Sequence, residues 1–123
     1  MAGVKPVRLQ LSRAKGFNLQ AHSCATNGLP AVYCARPFAF GNPFRVRKPV
    51  DLAQMQRWDW CFAQPHIVCV DNAEAARRFA MCLFLDETAH GWVRRQLRGK
   101  NCACFCALDE PCHVDPLLEL ANR

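Results

Sequence analysis

The sequence predicts an α/β (or α+β) fold: a single small domain over residues 1–123, with a short central sheet of about four strands flanked by helices. Three observations predict it. Short apolar runs bounded by turn formers recur along the chain, and stretches of helical period separate them. A chain of 123 residues suffices for one modest core, since folding at this length hides roughly two-thirds of the surface that the unfolded chain exposes. Finally, 51% of the residues are apolar and 21% are charged, the balance of a folded globular chain rather than a disordered or collagenous one.

The elements follow in order. "VRLQLS", Val7 to Ser12, alternates apolar and polar and reads as a strand. Arg13 to Pro30, with Gly16, Asn27, Gly28 and Pro30, reads as a loop. "AVYCA" before Arg36 is a short apolar run, hence a buried strand, and "RPFAFGNPFRVRKPV" is a long loop carrying three of the eight prolines. "DLAQMQRWDWCFAQ" is compatible with one helix before Pro65, and "HIVCV" with a strand. In "DNAEAARRFAMCLFL" Asp71 caps a helix while Glu74, three residues on, can reach back, with Ala76, Phe79, Ala80 and Leu83 on one face. Thr88 is positioned to cap a second helix that runs through Val93 and Leu97 and ends at Gly99, with Arg94, Arg95, Arg98 and Lys100 crowding its last turn. "NCACFC" alternates as a strand does, and a turn leads from it to a helix within "HVDPLLELAN".

Charge and cysteine content bound the function. Residues 1–60 carry nine Lys or Arg against Asp51 and Asp59, whereas residues 107–123 carry Arg123 against four carboxylates. A basic N-terminal half favours an anionic partner, a nucleotide or nucleic acid, met through Lys15, Arg45, Arg47 and Lys48. No apolar run approaches the ~18 residues of a spanning helix, so no membrane partner is expected. The basic N-terminus lacks the apolar centre of a secretory signal. Nine cysteines cannot all pair with one another, and the expected compartment is the reducing cytoplasm, with thiols free or bound to metal. No dinucleotide glycine pattern, Walker loop or His-Glu-x-x-His helix is present.

Two stretches can carry chemistry. "GKNCACFCALDEPCHVD" packs Cys102, Cys104, Cys106, Cys112 and His113 into twelve residues. Thiolates and an imidazole are the inventory of tetrahedral zinc, and an iron-sulfur centre uses the same thiolates. A thiol at a helix start, Cys112 beside His113, is equally suited to act as a nucleophile without metal. A third reading treats the cysteines as small core hydrophobes. In "RPFAFGNPF", Gly41-Asn42-Pro43 forces a turn in which Asn42 bonds its own backbone and Gly41 takes positive φ. Arg36 leaves a strand end, where α/β sheets bind ligands, ready to grip a phosphate or carboxylate. Phe40 or Phe44 would then stack on a ring and Asn42 read its edge, the alternative being a structural loop with Arg36 in a salt bridge.

Both stretches resemble one family. "ARPFAFGNPF" resembles a GRPxxWGNPF motif, and "LRGKNCACFCALDEPCHVDPLLELAN" resembles an LRGKxLACWCxxxxPCHADVLLELAN signature, both of the domain of unknown function 4326 family, frequent in bacteriophages and bacteria. "SRAKGF" resembles the basic Lys-Gly-aromatic stretch that precedes them there, which adds Arg13 and Lys15 to the ligand-binding set. The resemblance implies that the family cysteines fall on Cys104, Cys106 and Cys112, followed by His113 and Asp115, and that Cys102, where the family has Leu, belongs to the core. By their chemistry the candidate metal ligands are Cys104, Cys106, Cys112 and His113, and the candidate catalytic set is Cys112, His113 and Asp115. Departures are Phe40 and Phe105 for Trp, and Pro116 for Val, which is expected to move the last helix so that Asp115 caps it. The expected function is binding and processing of a nucleotide or nucleic-acid component at a Cys/His-Arg site, in a bacterial or phage-infected cell. The alternative is a non-enzymatic, zinc-stapled accessory module that binds nucleic acid or protein.

Overall fold

The computed structural model describes residues 4–56 and 66–123. Among these the elements run β1 (Arg8–Gln10), α1 (Leu19–Asn27), β2 (Ala31–Tyr33), α2 (Leu52–Met55), α3 (Asn72–Leu85), α4 (Glu87–Leu97), β3 (Asn101–Cys104) and α5 (Val114–Ala121). The three strands form one parallel sheet in the order β1-β3-β2, with Leu9 opposite Ala103 and Val32 opposite Cys102. The last strand in sequence is therefore the central one. It is buried at every position, Asn101 to Cys104, as a strand inside a parallel sheet is. The alternation in "NCACFC" thus separates two faces that are both covered, not core from solvent.

The mixed α/β class stands, with one strand fewer than expected among the described residues. "HIVCV" contributes only bridges, Cys69 to Val46 and Val68 to Pro49. Val68 and Val70 are exposed, so the apolar run that suggested a strand does not enter the sheet. The helix expected over 51–64 begins as α2, capped by Asp51, whose carboxylate accepts from the Gln54 N–H at 3.1 Å; positions 57–65 lie outside the described residues.

Helix α1 corrects the loop expected over Arg13 to Pro30. Asn18 caps it through its side-chain oxygen to the Ala21 N–H at 2.9 Å. Gly28 ends it at φ 80°, a left-handed conformation that glycine adopts without strain, with its N–H on the Cys24 carbonyl. Only Leu19 and Ser23 of α1 are buried, so it leaves almost no apolar period to read.

Helix α3 is anchored as expected. The Asp71 carboxylate accepts from the Glu74 N–H at 2.8 Å, and Glu74 reaches back to the Val70 N–H at 2.7 Å. Its buried face is Ala75, Phe79, Cys82 and Leu83, rotated slightly from the one expected, with Ala76 and Ala80 half-buried at its edge. Asp86 closes α3 and opens α4, which starts at Glu87; Thr88 is already inside that helix and donates its hydroxyl to Asp86 at 2.6 Å instead of capping. Ala89, Val93 and Leu97 of α4 meet α5, which buries Val114, Leu117, Leu120 and Ala121 and also packs on β3 and β1. Among the described residues no helix is long and apolar enough to cross a membrane.

One polar network ties the sheet to α1. The Asn101 side chain, fully buried, accepts from the Val7 N–H at 2.9 Å and donates to Ser23 Oγ at 2.8 Å and Asn27 Oδ1 at 2.7 Å. Asn101→Ala is expected to destabilise the fold by about 2–3 kcal/mol, because it strands buried donors and acceptors that water cannot reach. A urea midpoint unchanged from wild type would show that this network carries no stability.

Candidate functional site

Because the strands are parallel, their carboxyl ends share one edge of the sheet, and the segments leaving them meet there. A cleft of about 510 Å³ opens at this edge. Its walls come from Arg13 after β1, Ala35 and Arg36 after β2, and Cys104, Phe105 and Cys106 at the end of β3. The turn at 42–48, the start of α3 and the Pro111–His113 segment complete it.

Cys104, Cys106 and Cys112 converge, their sulfurs all within 4.8 Å of one another. The Cys104 and Cys106 sulfurs are 3.9 Å apart, close to the ~3.8 Å edge of a tetrahedron of thiolates bound at about 2.3 Å to zinc. These three residues can hold a metal ion. The thiols share their protons unequally. Bonds from Cys106 and then Cys112 hold Cys104 well below its ordinary pKa, and the same Cys104 contact pushes Cys106 far up. Cys112 is raised by Cys104 but lowered more by Cys106 and His113, and is depressed on balance.

His113 is buried beside this trio. Its Nε2 lies 2.6 Å from the Cys34 carbonyl, which can only accept, so Nε2 carries the proton and Nδ1 faces Cys112 Sγ at 3.7 Å. The edge of its ring contact with Phe79, 5.0 Å between centroids, helps to hold it there. The compact sulfur set does not include the imidazole. Asp115 stands apart. Helix α5 begins at Val114 with His113 at its cap position, so Asp115 lies in the first turn instead of capping it. Pro116 falls among the first four residues, whose N–H groups have no acceptor within the helix, and so removes no bond. Asp115 faces Arg8, 3.7 Å from carboxylate to Nε, and does not line the cleft.

The 36–44 loop is built by hydrogen bonds rather than a salt bridge. Arg36 Nη1 donates to the Asn42 carbonyl at 2.8 Å. Asn42 accepts the Phe44 N–H at 2.9 Å and donates to the Ala75 carbonyl at 3.0 Å, joining the loop to α3. Gly41 is required here for close approach, not for positive φ: a Cβ would stand 2.8 Å from the Arg36 backbone nitrogen. Arg36, Asn42 and Phe44 line the cleft. Phe40 does not; it is buried and stacks on Trp92 with centroids 4.6 Å apart. Arg13 lines the cleft with its guanidinium 4.0 Å above the Phe105 ring, whereas Lys15 is exposed and outside it.

The model of the family described as Domain of unknown function (DUF4326) matches residues 17–123. The chain belongs to the DUF4326 family. No curated protein and no solved structure matches it. The DUF4326 region contains all three thiols and most of the cleft wall, but it begins after Arg8 and Arg13. Arg8 is the residue that sequence reasoning missed. In "VRLQLS" it reads as an ordinary solvated position, yet its side chain is only 10% exposed. Its Nη2 donates to the carbonyls of Leu108 at 2.7 Å and Glu110 at 2.8 Å, fixing the turn that returns Cys112 to the site. Burial lowers its pKa, but the Cys112 thiol and Asp115 outweigh that and hold it above its ordinary value.

Proposed function

We propose that the cleft binds an anionic, ring-bearing ligand, a nucleotide or nucleic-acid component, and processes it against a sulfur wall that holds zinc. The observation that carries this reading is the sign of the lining: Arg13, Arg36, Arg45 and Lys48 stand around the cleft, and no carboxylate among the described residues lines it. Asp115 is paired with Arg8, and Glu110 accepts the Asn72 amide at 2.7 Å. Uncompensated cations in a concave site favour phosphate. Phe105, exposed on the wall beneath Arg13, offers a ring face, whereas Phe44 lines the cleft with its ring buried in the core. A thiol-lined concave site supports chemistry better than a flat basic face would, which favours this reading over a purely accessory binding module.

Calorimetric titration with nucleoside 5′-monophosphates and short single-stranded oligonucleotides tests it. Binding should weaken with salt, and the Arg13→Ala/Lys48→Ala pair should lose roughly tenfold or more, since a hydrogen bond to a charged group is worth about 1.5–3 kcal/mol. The salt slope should fall with each cation removed. Affinity indifferent to both salt and the two substitutions would leave the basic lining a solvated surface and defeat the reading.

A further inference from the structure

We infer that Cys104, Cys106 and Cys112 form a three-thiolate metal site whose fourth coordination position opens into the cleft, with Arg8 as its buried countercharge. The inference rests on reading the sulfur trio as a metal wall and adds where the metal is accessible and what balances its charge. All three cysteines line the cleft. A tetrahedral ion seated on them has one remaining direction, and a site with three protein ligands and one exchangeable position is the arrangement of a reactive rather than a purely structural centre.

Among the described residues the fourth donor nearest the sulfurs is His113. Its Nε2 is tied to the Cys34 carbonyl at 2.6 Å, its ring edge is set against Phe79, and only Cys112 lies close to Nδ1. The imidazole is outside the set of ligand atoms that lie within 4.8 Å of one another. Nε2 donating to a carbonyl leaves Nδ1 able to ligate, but because the imidazole lies outside the compact sulfur set, closing the site with it requires the ring to move toward Cys104 and Cys106. The unfilled position is therefore left to a water molecule or to a donor atom of the bound ligand.

Charge supplies the second, independent observation. Three thiolates on a divalent ion leave a net charge of minus one in a site where Cys104 and Cys112 are buried. Arg8 comes from β1; its Nε lies 3.7 Å from the Asp115 carboxylate, which is more than half exposed and so offsets a buried guanidinium weakly. Its Nη1 is buried and, among the described residues, meets no acceptor in hydrogen-bond geometry, while its Nη2 is already committed to backbone carbonyls. A buried guanidinium N–H without an acceptor is costly, and the Cys112 sulfur beside this guanidinium becomes a full acceptor for it only as a thiolate, the form that metal binding enforces.

Cobalt(II), loaded into metal-free full-length protein, is the probe, and absorption spectroscopy reads the site without an activity. The expected result is one Co(II) per chain, with a thiolate-to-metal band that weakens in Cys104→Ser, Cys106→Ser and Cys112→Ser but not in Cys102→Ala. Azide should shift the visible ligand-field bands without releasing the metal, and His113→Ala should leave the bands of the azide-free protein unchanged. Bands indifferent to azide but altered by His113→Ala would mean that His113 closes the site, overturning the open position while leaving the metal wall intact. Failure to take up Co(II) would overturn both, yet nucleotide binding by the cleft would be judged separately by calorimetry. Arg8→Gln should weaken metal affinity by about tenfold or more, in the range of outer-shell partners, and Arg8→Lys should recover part of it. Undiminished affinity in Arg8→Gln would overturn the countercharge role, and the azide titration decides the open position whether or not that variant folds.

Discussion

Protein purified without chelator is expected to carry about one zinc per chain, to lose it in Cys104→Ser and to keep it in Cys102→Ala. The two cysteines lie on the same face of β3, about 6.6 Å apart along the strand, and their surroundings differ completely. Cys104 ends the strand, 3.9 Å from Cys106 and within reach of Cys112. Cys102 is wholly buried one step inside the sheet, opposite Arg8 and Val32 and against the Cys34 thiol, whose ionisation its contact strongly opposes. Removing the Cys104 thiolate leaves two ligands, too few for a stable site, whereas Cys102→Ala removes one buried sulfur from the core. Metal content by mass spectrometry reads the difference. Equal metal in both variants, or folded wild-type protein devoid of metal, would refute the assignment.

The largest loss of stability is expected from Phe79→Ala. Phe79 has no exposed surface, lies on the buried face of α3 and sets the edge contact with the His113 ring. Truncating a buried phenylalanine typically costs about 3–5 kcal/mol through lost transfer energy and the cavity left behind, against a total of about 5–15 kcal/mol for a domain. Urea unfolding should show that loss, and Arg77→Ala, two residues away on the exposed face, should change stability by less than about 0.5 kcal/mol. The His113 imidazole resonances should move in Phe79→Ala as well. A loss below about 1 kcal/mol would mean that the core closes without this ring.

Both experiments probe features that differ in how far the sequence foretold them. Helix α3 was legible because its signal is local: the Asp71 carboxylate, Glu74 and a repeating apolar face all act within a few residues. The Asn42 turn was legible for the same reason, its side chain closing on the N–H two residues ahead. Helix α1 carried equally local caps in Asn18 and Gly28, but with Leu19 and Ser23 as its only buried residues it has no amphipathic stripe to announce it. "HIVCV" failed in the opposite sense. Its β-branched residues satisfy a propensity, but propensity describes a fit to a pleated surface, and no sheet edge receives this segment.

The sequence by itself determined the mixed α/β class, the short strands, the capped helix at Asp71 and the chemistry-bearing residues of the two motif stretches. Tertiary structure alone decided that β3, last in sequence, is inserted between β1 and β2, and so brings the ends of all three strands to one cleft. It also decided that Phe40 packs on Trp92 while Arg36, Asn42 and Phe44 line the cleft, and that Asp115 turns to Arg8. The reason is the range of the forces involved. Caps and turns are closed by neighbours a few residues away, but Arg8 meets the Leu108 and Glu110 carbonyls across 100 and 102 positions of chain. Such a pairing must be held by contacts that offset the entropy of closing a long loop, here those of the assembled sheet, so nothing in the local pattern around Arg8 distinguishes a buried countercharge from a solvated side chain.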